Sequence, residues 1–74
     1  MISEMKNNKF PNLFGEIAMK KQFISLDQLL NALNTQLMDR IEKDEYRLIG
    51  TILREEGLIN ALQINEVLTI KYLL

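Results

Sequence analysis

The chain writes one phrase twice. PNLFGEIAMKKQFI (11–24) and YRLIGTILREEGLI (46–59) share a skeleton in which Leu13, Gly15, Ile17 and Ile24 are matched by Leu48, Gly50, Ile52 and Ile59, every pair 35 residues apart. In a chain of 74 residues that repetition governs what can fold. So small a protein buries only about 60 to 65% of its unfolded surface, and a lone core is marginal. With Cys 0 and His 0, neither a disulfide nor a zinc site of the Cys/His kind can staple it. One copy has to pack on the other, or on another chain.

Each copy reads as a helical hairpin. Leu13, Phe14, Ile17, Ala18 and Lys21 recur at helical spacing, and Leu48, Ile49, Ile52, Leu53 and Glu56 repeat them position for position. Both stretches predict a helix of about three turns. Gly57 then stands where a helix end takes a left-handed residue, with two apolar residues after it. Gln22 holds the same slot in the first copy, where a non-glycine costs about 1 kcal/mol. Next, Ser25 with Gln28 and Asn60 with Gln63 have capping-box spacing, again 35 apart.

A longer helix follows in each copy. It carries Leu26, Leu29, Leu30, Leu33, Leu37 and Ile41 in the first and Leu62, Ile64, Val67, Leu68 and Tyr72 in the second, with EKDEY (42–46) as the polar link. The expected fold is all-α, four helices forming two hairpins about a pseudo-two-fold axis. Residues 1–11 are expected to be a flexible arm ending at Pro11, and 12–74 one domain made of repeat 1 (12–41) and repeat 2 (47–74). Gly15 and Gly50, each inside a helix at a cost of about 1 kcal/mol, need either a close helix crossing or a ligand against the backbone.

Composition narrows function by exclusion. Residues 1–37 hold four basic and three acidic side chains and residues 38–74 hold five and seven, so neither half is a basic surface for nucleic acid. The long helices carry almost no cation to read DNA. The period is near that of tetratricopeptide repeats, but their aromatic and alanine pattern is absent and they need about three copies. No apolar run nears the ~18 residues of a membrane span, and MISEMKNNK has charges where a signal peptide is apolar. A cytoplasmic protein is expected, with no membrane insertion.

Without His or Cys there is no usual general base or thiol nucleophile, and the adjacent carboxylates Glu55–Glu56 and Asp44–Glu45 point apart. The three glycines are too scattered to cradle a phosphate. No catalytic residue, metal ligand or cofactor is assigned, and the chain is read as non-enzymatic. Lys20 and Lys21 read as last-turn residues favoured by the helix dipole, and Arg47 and Arg54 as solvated or anion-facing.

LFGEIAMKKQFISLDQLLNALNTQ and RLIGTILREEGLINALQINEVL resemble the duplicated motif in the N-terminal domains of type II secretion and type IV pilus assembly ATPases, over about residues 12 to 72. The resemblance implies a helical module, and in some members of that family such a module binds cyclic di-GMP, half of the ligand per motif. Carried over by position, it implies ligand-binding roles for Gly15, Gln36, Arg47 and Gly50. The motif's glutamine becomes Lys71 in the second copy, its arginine becomes Asn12 in the first, and its glycine becomes Gln22.

Two functions follow. The first is a small regulatory or interaction module making protein–protein contact, by homodimerisation or by docking to a secretion, pilus or motility component. Its apolar surface is expected at Met5, Phe10, Met19 and Met38. The alternative is a cyclic di-GMP-binding module.

Overall fold

Turn and cap chemistry decides where the chain folds back. The computed structural model describes residues 13–73, and these form four α-helices and no strand: α1 (Leu13–Lys20), α2 (Leu26–Lys43), α3 (Ile49–Glu55) and α4 (Ala61–Leu73). At the end of α1 the Phe23 amide donates to the Ala18 carbonyl at 2.9 Å and the Gln22 amide to Met19 at 2.8 Å. At the end of α3 the Leu58 amide donates to Leu53 at 2.9 Å and the Gly57 amide to Arg54 at 3.0 Å. These are the two bonds of a Schellman turn, made twice. The corner residue is left-handed both times, with φ 64° at Gln22 and 77° at Gly57.

The restarts match as well. The Ser25 amide donates to Gln28 Oε1 at 2.9 Å while Ser25 Oγ accepts from the Gln28 amide at 3.2 Å. Asn60 and Gln63 exchange the same two bonds at 2.9 and 2.8 Å. Both capping boxes satisfy amides that the first turn of α2 or α4 would otherwise leave bare.

The core is also written in steps of 35 residues. Its buried apolar members are Phe14 with Ile49, Ile17 with Ile52, Ala18 with Leu53, Ile24 with Ile59, and Ala32 with Val67, plus Leu29. Ile64, the counterpart of Leu29, is half-buried against the same cluster. The packing is crosswise: α1 lies mainly on α4, and α2 mainly on α3, more extensively than α1 lies on its own neighbour α2. Each short helix therefore covers the long helix of the other hairpin, and neither hairpin closes a core by itself.

Four expectations change. The short helices have 8 and 7 residues, about two turns rather than three. Leu48 is the N-cap of α3, not part of its buried stripe, and it is exposed. The helix α2 continues past Ile41 to Lys43 and stops at Asp44, whose φ is 55° and whose amide turns back to the Asp39 carbonyl; the link is 44–48 rather than 42–46. Residues 1–12, including Pro11 and the expected arm, lie outside the described residues.

The fourth change concerns the long helices. Of their apolar residues Leu29, Ala32, Leu33, Ile64, Val67 and Ile70 reach the core, whereas Leu26, Leu30, Leu37, Ile41, Leu62, Leu68 and Tyr72 are exposed. The reason is length. The 18 residues of α2 span about 27 Å, but the seven of α3 cover about 10 Å of it.

The two corners make a paired test. Gln22→Gly relieves a left-handed non-glycine and is expected to raise unfolding free energy by about 1 kcal/mol in urea titration. Gly57→Ala, where an added Cβ meets nothing within 4 Å, is expected to lower it by a similar amount, about 1 kcal/mol. Equal midpoints for both variants and the parent would contradict the left-handed assignment.

Candidate functional site

Asp39 is a charged residue on a buried helix face, and it organises the residues around it. Leu29, Ala32, Gln36 and Asp39 fall on one side of α2 at helical spacing, and Asp39 is 7% exposed. A carboxylate there needs partners. Arg47 supplies them from the link, donating Nε to Asp39 Oδ2 at 3.1 Å and Nη2 to the same oxygen at 2.7 Å. Its Nη1 donates to Glu55 at the end of α3. Gln36 Nε2 donates to the Arg47 carbonyl at 2.8 Å, and Lys43 Nζ stands 3.9 Å from Asp39 Oδ1.

The result is a clasp tying α2 to the link and to the C-terminal end of α3. The hydrogen bond that Arg47 donates to Asp39 raises the Arg47 pKa above its ordinary value; desolvation opposes this, and the charges of Asp39 and Glu55 add to it. A cation with a raised pKa stays charged at ordinary pH, and its contribution is lost as pH rises through the arginine range. Arg47 thus holds the clasp charged throughout ordinary conditions.

The four residues nominated for a ligand are separated by this arrangement. Gln36 and Arg47 do come together, but their polar groups are engaged with each other and with Asp39 and Glu55. Gly15 is buried, and a Cβ on it would collide with Leu29 Cδ1, so its place is explained by helix contact within the first hairpin. Gly50 differs: its Cβ would meet the Phe14 ring at 3.0 Å, from the other hairpin. Equivalent in sequence, the two glycines serve different neighbours.

Gly50 also lies on a groove of about 690 Å³, whose apolar lining includes Phe14, Leu48, Ile64 and Leu68. Arg54 and Lys71 line it too, and neither makes an ion pair with a described residue. Lys20 and Lys21, by contrast, pair with Glu16 at 3.2 Å and Glu66 at 2.6 Å. The latter bond joins the turn after α1 to α4.

Of the four residues expected on an apolar surface, two fall among the described residues. Met5 and Phe10 lie outside the described residues. Met19 is half-buried and packs on the core, and Met38 is only 38% exposed. On α2 four exposed apolar side chains form a row: Leu26, Leu30, Leu37 and Ile41 at 49, 51, 55 and 68%. Spacing alone could have found them, since successive residues of α2 turn by about 100° and these four share one strip beside, not on, the Leu29–Ala32–Asp39 face. Asp39 was legible in the same way.

The site is therefore that of a small all-α domain with a polar clasp inside, an apolar groove at Gly50 and an apolar strip outside. Among the described residues no helix is long and apolar enough to cross a membrane. Comparison of the chain with protein-family models, with characterised proteins and with solved structures gives no match.

Substitutions should rank accordingly. Gly15→Ala overpacks Leu29 by about 1 to 3 kcal/mol, more than the ~1 kcal/mol of helix propensity it recovers, so it lowers the urea midpoint. Gly50→Ala needs the Phe14 ring to yield by only a few tenths of an ångström and is expected to be near neutral. Arg47→Ala strips the buried Asp39 of its bidentate partner, and its melting midpoint is expected to fall well below that of Arg54→Ala, with circular dichroism reading both.

Proposed function

We propose that this chain is a non-enzymatic interaction module that presents an apolar helix face to a protein, either another copy or a component of a secretion, pilus or motility apparatus in the cytoplasm. The pairing of the two hairpins about an approximate two-fold axis is part of the same reading. It rests on the correspondence of their corners, caps and buried residues at 35-residue steps.

One observation carries the functional reading. Leu26, Leu30, Leu37 and Ile41 share one strip of α2 and are about half exposed. A large apolar side chain gains about 1.5 to 3 kcal/mol on full burial, so this strip holds back about 3 to 6 kcal/mol. A domain of this size has total stability at the low end of about 5 to 15 kcal/mol. That much unrealised burial on one helix face supports reading it as a contact surface.

The alternative, a cyclic di-GMP module in keeping with the sequence resemblance, is favoured by the groove at Gly50, where Arg54 and Lys71 could face an anion. Against it stands the engagement of Gln36 and Arg47 in the clasp.

A photo-crosslinking residue at Leu30, with Asn31 as the control pointing about 100° away, separates the two readings. The expected outcome is protein adducts from position 30 and not from 31. Absence of such adducts, together with saturable heat on titration with cyclic di-GMP that Arg54→Ala abolishes, would transfer the assignment to the nucleotide.

A further inference from the structure

We infer that the partner on the α2 strip is α2 of a second copy of this chain, laid antiparallel with a two-fold axis near Leu33. This rests on the interaction reading above and names its occupant.

The strip has the steps of a helix–helix seam. Leu26, Leu30, Leu33, Leu37 and Ile41 follow one another by four, three, four and four residues, and Leu33 is half-buried where the strip meets the core face. Spacings of three and four keep side chains on one side of a helix, as a packed pair requires. The exposed apolar residues of α4 do not do this. Leu62 and Leu73 fall on one side of that helix and Leu68 and Tyr72 on another, so α4 offers no comparable strip.

The strip is also self-complementary. Leu26 and Ile41 lie equally far from the 33–34 midpoint, and so do Leu30 and Leu37. A two-fold axis there sets large apolar residues against large apolar residues along about 22 Å of helix. Such an axis requires the same patch to serve both partners, which a strip symmetric about its own centre does.

Charge selects the direction. The first turn of α2 carries Asp27 alone, and its last turn holds Arg40 and Lys43 against Glu42, leaving it net basic. An antiparallel pair brings the acidic end of each helix level with the basic end of the other and opposes the helix dipoles. A parallel pair would stack like on like at both ends. The flank at Asn31 and Asn34 is polar and exposed, which leaves a wet rim beside the seam.

Because the chain has no cysteine, single spin labels can be placed on the full-length protein at Asp27→Cys, Asn34→Cys and Glu42→Cys, all exposed and off the strip. Sedimentation is expected to show a concentration-dependent dimer. Pulsed-dipolar distances should be shortest for the Asn34 pair, with about 20 Å of additional axial offset for the other two. Leu30→Glu with Leu37→Glu should keep the helical spectrum and raise the dimer dissociation constant by more than about tenfold.

Three equal distances would overturn the antiparallel arrangement. A dimer untouched by the glutamates would overturn the strip as its seat. A strict monomer would overturn self-association. If that monomer's position-30 crosslinker still captures another protein, the interaction reading survives alone. If it captures residues 1–12 of its own chain, both fall.

Discussion

A helical hairpin is apolar on one side, and a side left in water contributes nothing to folding. In this chain the remedy is exchange: α1 is laid on α4 and α2 on α3, so each hairpin supplies the lid for the other. The corners and caps are local devices worth about 1 kcal/mol apiece. A fully buried aliphatic side chain is worth about 1.5 to 3 kcal/mol. The caps therefore choose the direction of the chain, while crosswise burial provides the reason to remain folded. Without a disulfide or a Cys/His zinc site, everything else in the structure depends on that exchange.

The two hairpins correspond at 35-residue steps but differ at their centre. Ala18 and Ala32 face the core where the second copy has Leu53 and Val67, and Leu29 sits fully buried on Gly15 while Ile64 is only half-buried. The ring of Phe14, drawn from the first copy, packs at Gly50. One half is thus closed by its own leucine and the other by its neighbour's phenylalanine, with the groove beside it. The clasp is similarly one-sided. The residue 35 positions after Gln36 is Lys71, and Glu55 stands where the first copy has Lys20.

Much of this was legible in the residues because it is local or periodic. A left-handed corner followed by a cap with glutamine three residues on is a complete instruction for ending one helix and starting another, and both copies obeyed it. The buried set followed from the 35-residue correspondence. What spacing did not give was the width of the buried arc. A row such as Leu26, Leu29, Leu30, Leu33, Leu37 and Ile41 spans two faces of a helix, and which face is covered depends on the length of the element lying across it. Two-turn lids cover little. Nor does a lone arginine disclose whether it faces solvent, a ligand or a carboxylate. Arg47 was settled by Asp39, a residue whose position on the buried face was visible but whose pairing is tertiary.

The division of α2 into two apolar faces carries the logic of the fold one step outward. Its inner face, with Leu29 and Ala32, is covered because another hairpin of the same chain lies across it. Its outer strip is apolar by the same spacing and has no such lid among the described residues. A ligand that binds only the folded form stabilises it by mass action, and a partner on this strip would act in that way. The stability of so small a domain is then tied to the concentration of whatever covers α2. Were a partner to cover the strip, association and folding would become one equilibrium, in which the exposed leucines contribute little to the isolated domain and give the complex its driving force.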